Sequence, residues 1–293
     1  MIRRRFLKSS LLMPVFAFNQ PFNLNATTIE PDRNIKLSLN AYSFNAQLTS
    51  GETNLFELIE FCKKQGFDAL DPTGYYFPGY PAVPEDEYIY EFKRRAFLSG
   101  IEISGTGVRN DFANPDEQKR KEDLELIEAW CVVASKLGAP LLRVFPGKEI
   151  KDDRDKHEVM KQVIIELKKA CEIGAKYGVM IAMQNHNDFL KSSEEIIQII
   201  LGVNSKWLGL HLDIGSLAQR DPYEEIKILV KYAITWQIKE LVWENGKKVQ
   251  VDYDRLMEII TDSDYVGYLP LETLNVDPEK RLPLMVNEMR KRL

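Results

Sequence analysis

A single (β/α)8 barrel of the α/β class, the TIM barrel, is the fold that the sequence predicts. Short apolar segments alternate with helical patterns eight times after residue 30, and this alternation indicates a parallel sheet with helices around it. The segments are apolar on successive residues, as strands are when both of their faces are buried. A doubly wound sheet is the alternative fold. It favours a glycine fingerprint after the first strand, and the segment Ala41–Phe44 at that point contains no glycine.

The apolar segments place the predicted strands at Ile35–Ala41, Phe67–Asp71, Ile101–Gly105, Pro140–Phe145, Val179–Met183, Trp207–Leu212, Tyr232–Ile238 and Val266–Leu271. The helical patterns predict helices over Thr53–Gln65, Glu85–Leu98, Asn114–Lys136, Arg154–Tyr177 and Asp252–Ile260, and others that begin near Ser192, Asp221 and Asp277. Asn or Asp followed by proline is a typical helix start, because the first residue caps the helix and proline takes its first position. Ser192 begins a capping box with Glu195.

The composition limits the partners that we expect. The formal net charge of −5 and the lack of a basic stripe argue against nucleic acid and anionic membrane surfaces. No apolar segment has the length that a membrane span requires.

Cys62, Cys131 and Cys171 lie far apart, each among apolar neighbours in a helical pattern. We expect buried thiols rather than a disulfide framework or a metal site. The sequence leaves the oligomeric state open.

The N-terminus has the pattern of an export signal. Arg3–Lys8 fits the twin-arginine motif R-R-x-F-L-K, and the apolar stretch Leu11–Phe18 is too short to span a bilayer but long enough for a signal peptide. We expect residues 1–26 to be a twin-arginine-type signal peptide, residues 31–293 to form the barrel, and the protein to be periplasmic. A basic tail without a targeting role is the alternative.

Polar side chains stand at the carboxyl ends of the predicted strands, which meet at one mouth in a barrel. Strand five is followed by Gln184 and His186, and strand six contains His211 and is followed by Asp213 and Ser216. The other strand ends contribute Tyr42, Phe44, Asn110, Arg143, Gln237, Lys239 and Glu272. Aromatic faces stack on sugars, and amides and charged groups pair with hydroxyls. This set therefore indicates a small-molecule carbohydrate as the ligand.

Several of these segments resemble the sugar phosphate isomerase/epimerase family, the xylose isomerase-like barrels. The segments that carry the resemblance are Asp213–Ser216, Trp236–Glu240 and Gly267–Glu272. Further segments resemble an exported branch of the family, namely Ser104–Gly107, Arg143–Phe145 and Met183–His186. The resemblance extends over nearly everything after residue 35. It implies a barrel enzyme that acts on a sugar.

The resemblance also implies a metal site with altered ligands. Family members typically bind one divalent ion through Glu, Asp, His and Glu from strands five to eight, and the two glutamates move a proton next to a carbonyl. Asp213 and Glu272 match this pattern. Gln184 replaces the first Glu, Gln237 replaces the His, and Ser216 stands where a substrate-binding His usually follows. With two neutral amides, we expect at most one weakly bound hard ion such as Mg²⁺ or Mn²⁺.

These replacements also restrict the candidates for acid–base catalysis. An amide cannot act as a general base, so Glu272 is the first candidate. His186 is the second, since imidazole titrates near neutral pH. Asp188 and Glu240 are further substitutes for the missing glutamate.

Together these features predict an exported isomerase- or epimerase-like enzyme for a non-phosphorylated sugar or sugar derivative. It would abstract a proton next to a carbonyl, and Arg143 and Lys239 would stabilise the oxyanion. A lyase or hydratase acting on keto-sugars is one alternative. A carbohydrate-binding barrel without turnover is another, which the missing Glu and His favour. A metal-dependent nuclease is disfavoured, because the chain has neither a histidine cluster nor a basic groove.

Overall fold

The computed structural model describes residues 34–186 and 189–293. The predicted signal peptide at residues 1–26 and the candidate Asp188 lie outside these ranges. Within them the strands are β1 (Ile35–Asn40), β2 (Ala69–Asp71), β3 (Glu102–Ile103), β4 (Thr106–Gly107), β5 (Leu141–Val144), β6 (Met180–Gln184), β7 (Leu208–Asp213), β8 (Ala233–Lys239), β9 (Leu241–Glu244), β10 (Lys247–Gln250) and β11 (Gly267–Glu272). The helices are α1 (Asn45–Ser50), α2 (Leu55–Gln65), α3 (Asp86–Leu98), α4 (Glu117–Leu137), α5 (Lys156–Tyr177), α6 (Ser193–Val203), α7 (Pro222–Leu229), α8 (Tyr253–Asp262) and α9 (Pro278–Arg290).

The strands form a nearly closed parallel barrel. In the part of the chain that the structure describes, nine strands follow the order β3-β2-β1-β11-β8-β7-β6-β5-β4 in one sheet. β1 and β11 are the first and last parallel strands along the chain. They pair with each other, and Ile35 lies opposite Gly267. β3 and β4 follow each other in the chain and share one barrel position. The predicted (β/α)8 barrel is therefore confirmed, and the doubly wound alternative is excluded.

The third barrel position is occupied by a broken strand. β3 pairs with β2, and β4 pairs with β5. Ser104 and Gly105, between them, belong to the predicted third strand. Gly105 lies at a crowded point, since a Cβ atom there would be 2.5 Å from Leu141 Cδ1. The small residue allows the chain to change partners where the neighbouring strand approaches.

Side-chain caps begin three of the helices where the sequence predicts them. Asp221 and Asp277 cap α7 and α9, each followed by proline, and Ser192 caps α6. The predicted start of α4 at Asn114 is wrong, because Asp116 caps that helix. Asn114 instead accepts the backbone N–H of Asp116 at 3.0 Å and supports the loop before the cap.

A β-hairpin that the sequence analysis missed follows β8. β9 and β10 pair antiparallel, and the turn between them has Asn245 at a φ of 50° and Gly246 at a φ of 73°. Both residue types tolerate these left-handed angles. An Asn-Gly pair between short strand-like segments is a strong hairpin signal and could have identified this element. The hairpin borders the mouth of the barrel.

Apolar side chains fill the barrel and the layer between the sheet and the helices. Cys62, Cys131 and Cys171 are buried and free, so the prediction of buried thiols is confirmed. Burial raises the pKa of each thiol, which makes these cysteines inert. None of the helices in the described ranges combines the length and apolar character that crossing a membrane requires.

Candidate active site

Polar side chains converge where strands β6, β7, β8 and β11 end. Gln184, Asp213, Lys239 and Glu272 are the last residues of these strands, and each strand extends one residue beyond its predicted end. The carboxyl ends of barrel strands meet at one mouth. The side chains of Asp213 and Glu272 are 1% exposed, and that of Lys239 is 15% exposed. The structure therefore brings together predicted residues from four strands.

Gln184 links Asp213 to Arg143. Its Nε2 donates to Asp213 Oδ2 at 2.8 Å, and its Oε1 accepts from Arg143 Nη1 at 3.1 Å. A carboxylate only accepts and a guanidinium only donates, so these partners allow the amide one orientation. Arg143 Nη2 also donates to Thr73 Oγ1 at 3.3 Å, which fixes the guanidinium at the base of the mouth.

Gln237 links Glu272 to His211 in a similar way. Its Nε2 donates to Glu272 Oε2, and its Oε1 lies 2.9 Å from His211 Nε2. Because this amide oxygen only accepts, His211 carries its proton on Nε2. Burial is the largest cause that lowers the pKa of His211 well below 6.5, and the charges of Arg143 and Lys239 lower it further. His211 is therefore a neutral donor that orients Gln237.

Lys239 places its ammonium group between two carboxylates. Its Nζ contacts Glu272 Oε1 and lies 3.8 Å from Asp213 Oδ2. Burial lowers the pKa of Lys239, but the charges of Asp213 and Glu272 raise it more, so the pKa lies above its ordinary value. The side chain is therefore charged. Its pairing offsets part of the cost of burying two carboxylates and one ammonium group.

A further carboxyl group, Asp71, ends β2 and was not assigned a role from the sequence. Its Oδ2 accepts from Asn40 Nδ2 at 3.2 Å, and its Oδ1 has no hydrogen-bond partner within residues 34–186 and 189–293. Burial raises the pKa of Asp71, while the charge of Arg143 lowers it and that of Glu272 raises it. Asp71 is also the last residue of the predicted second strand, a position at which barrel strands carry their side chains to the mouth.

A cavity of about 790 Å³ opens over these side chains, a size typical of small-molecule sites. The predicted residues in its lining are Tyr42, Asn110, Arg143, Gln184, His186, Gln237, Lys239 and Glu272. A second cavity, of about 350 Å³, shares His186, Lys239 and Glu272 with the first and is also lined by Asp213 and Ser216. The two cavities therefore adjoin at the proposed base.

Two predicted substrate-binding residues lie outside both cavities. Phe44 is 3% exposed and packs in the core against Phe61, with ring centroids 5.0 Å apart. His211 is 1% exposed and lies against Gln237. Neither residue lines a cavity, so neither contacts a substrate directly in this structure. His211 instead acts on the site through Gln237.

Three further residues, which stand at or after the ends of predicted strands, line the larger cavity. Phe145 lines the larger cavity, faces His186 edge to face at 5.8 Å between ring centroids, and exchanges two backbone hydrogen bonds of 2.8 Å with the Asn110 amide. Tyr75 and Arg109 also line the cavity, and the Arg109 guanidinium lies 4.2 Å from the Tyr75 ring centroid. The aromatic run after strand two is the signal for Tyr75.

The divalent-metal site that the resemblance implies does not fit this arrangement. Gln184 and Gln237 direct N–H groups, not oxygens, at Asp213 and Glu272, and the Lys239 ammonium group lies between the two carboxylates. Hard cations require oxygen lone pairs directed at them. In the described ranges, no group of three or more His, Cys, Asp or Glu side chains is arranged to hold a metal ion.

Comparison with solved structures identifies similar barrels. The D-psicose 3-epimerase of Clostridium cellulolyticum H10, in its complex with D-tagatose, aligns with a TM-score of 0.75 at 16% identity, over 88% of this chain and 99% of that one. The 3-keto-D-glucoside 4-epimerase of E. coli aligns with a TM-score of 0.70 at 14% identity, over 88% and 99% of the two chains. At these identities the likeness shows the fold.

The sequence also matches a curated protein and a family profile. The α subunit of the 3'-dehydrocarminate deglycosidase of Microbacterium sp is 28% identical over 113 residues, which are 37% of this chain and 32% of that protein. The chain therefore spans about a third of this relative. The profile of the family described as xylose isomerase-like TIM barrel matches residues 59–291, which is most of the chain. The protein therefore belongs to the xylose isomerase-like TIM barrel family.

Proposed function

We propose that this protein is an enzyme that removes a proton from the carbon next to a carbonyl group in a sugar or sugar derivative. The observation that carries the proposal is the meeting of Glu272, Lys239 and Arg143 on one cavity. A carboxylate there faces the substrate beside two cations. This is the combination that proton abstraction next to a carbonyl requires.

Glu272 is the proposed base, oriented by Gln237 and paired with Lys239. When it takes the proton, the C–H electrons move into a carbon–carbon double bond and the carbonyl π electrons move to oxygen. Lys239 and Arg143 stabilise the enolate oxygen that forms. Return of the proton to the opposite face gives an epimer. Its delivery to the former carbonyl carbon gives an isomer when the hydroxyl group on the deprotonated carbon passes its own proton to the former carbonyl oxygen and becomes the new carbonyl. Expulsion of a group from the next carbon gives an elimination.

His186 is the proposed second acid–base group. It lines both cavities, which adjoin at Glu272. A second group is required because Gln184, at the position that the resemblance assigns to a glutamate, cannot take a proton. An imidazole can donate through one ring nitrogen and accept through the other.

We further propose that the substrate is a non-phosphorylated keto-sugar derivative. The basic residues that line the larger cavity are Arg109, Lys119, Arg143, Lys148 and Lys239, and the acidic ones are Asp111, Glu122, Asp123 and Glu272. The basic and acidic residues in the lining are nearly equal in number, so the charge of the cavity does not favour a phosphate group. The names of two similar proteins contain 3-keto-D-glucoside and 3'-dehydrocarminate, which supports a substrate with a ring carbonyl. Epimerisation and elimination are both open to such a sugar.

Deuterium exchange tests the proposal. The protein is incubated in D2O with a panel of 3-keto-glycosides and ketohexoses, and deuterium incorporation next to the carbonyl is followed by NMR. We expect exchange with at least one sugar, and a loss of about 100-fold or more in the Glu272→Gln variant. Glu258→Gln on the outer surface of α8 makes the same chemical change away from the mouth and serves as the control. Undiminished exchange in Glu272→Gln would exclude Glu272 as the base.

Carbohydrate binding without turnover is the second candidate function. The neutral amides of Gln184 and Gln237, where the resemblance implies Glu and His, favour it. Calorimetric binding of a sugar by the wild-type protein, without deuterium exchange into any sugar of the panel, would support this candidate over the enzyme.

We also propose that residues 1–26 direct export to the periplasm. The motif at Arg3–Lys8 supports this proposal. Cell fractionation of the full-length protein tests it, with an Arg3→Lys/Arg4→Lys variant as the comparison. We expect the wild type in the periplasmic fraction and the variant in the cytoplasm. An equal distribution of the two proteins would contradict the assignment.

A further inference from the structure

We propose that the Lys239 ammonium group takes the place of the divalent cation that the resemblance implies, so that this site neither binds nor needs a metal ion. The catalytic part of the inference rests on the proposed function. The binding part does not, because it can be tested without a substrate.

The first argument is that each oxygen of both carboxylates already faces a hydrogen-bond donor. Asp213 Oδ1 accepts from the Gly215 N–H at 3.0 Å, and Asp213 Oδ2 accepts from Gln184 Nε2 at 2.8 Å. Glu272 Oε2 accepts from Gln237 Nε2, and Glu272 Oε1 pairs with Lys239 Nζ. All four carboxylate oxygens therefore face an N–H group. A cation approaching the same oxygens would meet these hydrogens.

The second argument is that the amides cannot turn to offer their oxygens. Gln184 Oε1 faces Arg143 Nη1 at 3.1 Å, and Gln237 Oε1 faces His211 Nε2 at 2.9 Å. A flip of Gln184 would place its amide hydrogens against a guanidinium group, which has no lone pair to accept them. It would also place an amide oxygen against the Asp213 carboxylate. Both changes oppose metal coordination by Gln184. A flip of Gln237 would place its amide oxygen against the Glu272 carboxylate, which opposes metal coordination by Gln237.

The third argument is that the chain makes room for the lysine at this point. Lys239 follows Gln237 by two residues on β8, so both side chains emerge on one face of the strand. Its stem passes Gly215 in the turn after β7, where a Cβ atom would lie 2.6 Å from Lys239 Cγ. The ammonium group reaches both carboxylates through this space. A fixed monovalent charge therefore occupies the position from which it can stabilise an enolate oxygen.

Manganese binding tests the inference. Chelator-treated wild-type protein is titrated with Mn²⁺, and the free ion is followed by its EPR signal. We expect no saturable binding at this site and no shift of the thermal unfolding midpoint with Mn²⁺. Saturable binding that Asp213→Asn abolishes would overturn the proposal. Binding that Asp213→Asn leaves unchanged lies elsewhere and agrees with it.

A redesigned variant tests the reason for the exclusion. Gln184→Glu and Gln237→His, combined in one chain with Lys239→Ala, add one carboxylate and one imidazole ligand to Asp213 and Glu272, and Lys239→Ala removes the ammonium group. We expect this variant to bind one Mn²⁺ per chain, and we expect Lys227→Met, a lysine change on the outer surface of α7, to bind none. Circular dichroism verifies that the redesigned chain is folded. A folded redesigned variant without Mn²⁺ binding would contradict the assigned role of Lys239 and the two amides.

The Mn²⁺ titration and the deuterium-exchange experiment test different proposals, and either proposal can be contradicted without the other. Absence of deuterium exchange with every sugar would contradict the enzyme but would leave the Mn²⁺ titration unaffected. If exchange is found, we expect chelators to leave its rate unchanged. A chelator-sensitive rate that added Mn²⁺ restores would contradict metal independence while supporting proton abstraction.

Discussion

His211 Nε2 and Gln237 Oε1 lie 2.9 Å apart, and the same amide contacts the Glu272 carboxylate through its Nε2. A neutral imidazole thus orients the proposed base from two hydrogen bonds away. His211 Nδ1 has no hydrogen-bond partner among the residues that the structure describes. The ring therefore acts on the site through one nitrogen, and the proton on Nε2 holds Gln237 in its orientation.

Replacing His211 should change how stability depends on pH. Burial, followed by the charge of Arg143, lowers the pKa of His211 well below 6.5. The unfolded chain therefore binds a proton near that pH that the folded protein does not, and the free energy of unfolding falls as the pH decreases below it. His211→Gln should remove this loss, which amounts to at most about 1.4 kcal/mol per pH unit.

Urea unfolding at about pH 5.5 and about pH 7.5 measures this difference, because the two values lie on either side of the imidazole's ordinary pKa. His157→Gln, on the exposed surface of α5, is the control and should follow the wild-type pH dependence. If the His211→Gln curve ran parallel to the wild-type curve, the neutral state of His211 would not contribute to stability.

Lys239 and Glu272 should be strongly coupled in stability. Removing one partner of a buried ion pair costs about 3–5 kcal/mol, because the other charge stays buried without its partner. We expect Lys239→Met and Glu272→Gln each to destabilise the protein, and the double variant to lose less than their sum by about 1–3 kcal/mol. Urea unfolding of the four proteins measures the coupling.

The exposed pair Lys280 and Asp277, 2.5 Å apart at the start of α9, provides the matched comparison. Exposed pairs contribute little because water screens them, so Lys280→Met and Asp277→Asn should be nearly additive. Additive effects at Lys239 and Glu272 as well would mean that the ammonium group does not stabilise the carboxylate.

Gly107→Ala should disturb the site through Arg143. A Cβ atom at Gly107 would lie 2.7 Å from Arg143 Nε and 2.9 Å from its Nη2. The guanidinium would have to leave Gln184 and Thr73, which it contacts now. Crowding of this kind costs about 1–3 kcal/mol. We expect a lower thermal unfolding midpoint and weaker sugar binding. A variant with unchanged sugar affinity would show that Arg143 is not required in its present position.

Asp123 should make stability decrease as the pH rises through about 6. Burial is the largest cause that raises its pKa from 3.8 to about 6; the Asp111 backbone N–H opposes the shift, and the Asp111 charge adds to it. The folded protein therefore holds a proton that the unfolded chain releases above about pH 3.8, and this contribution to stability is lost as the pH passes the folded value.

The Asp123→Asn variant should thus gain stability relative to the wild type as the pH rises from about 4 to about 7. Thermal unfolding midpoints across this range measure the change, and Asp262→Asn on the exposed surface of α8 is the control. A constant difference between Asp123→Asn and the wild type would contradict the raised pKa.

Local pattern determined most of the fold. The strand–helix alternation, the buried character of the strands and the aspartate caps of α7 and α9 all depend on residues close together in the chain. Element boundaries were harder to predict. Asn114 and Asp116 are both good caps, and the structure shows that Asp116 is the one that caps α4. The hairpin of β9 and β10 could have been predicted from the Asn245-Gly246 pair.

The sequence by itself determined which residues stand at the strand ends, because Gln184, Asp213 and Glu272 follow apolar segments whose length fixes where each strand stops. Only the tertiary structure decided what these residues contact. The short 3-10 turn after β1 places Phe44 in the core. Neighbours on other strands direct both glutamine amides, and β8 carries the Lys239 ammonium group between Asp213 and Glu272. Such contacts join residues about 30 positions apart, and spacing along the chain carries no information about the distance between their side chains.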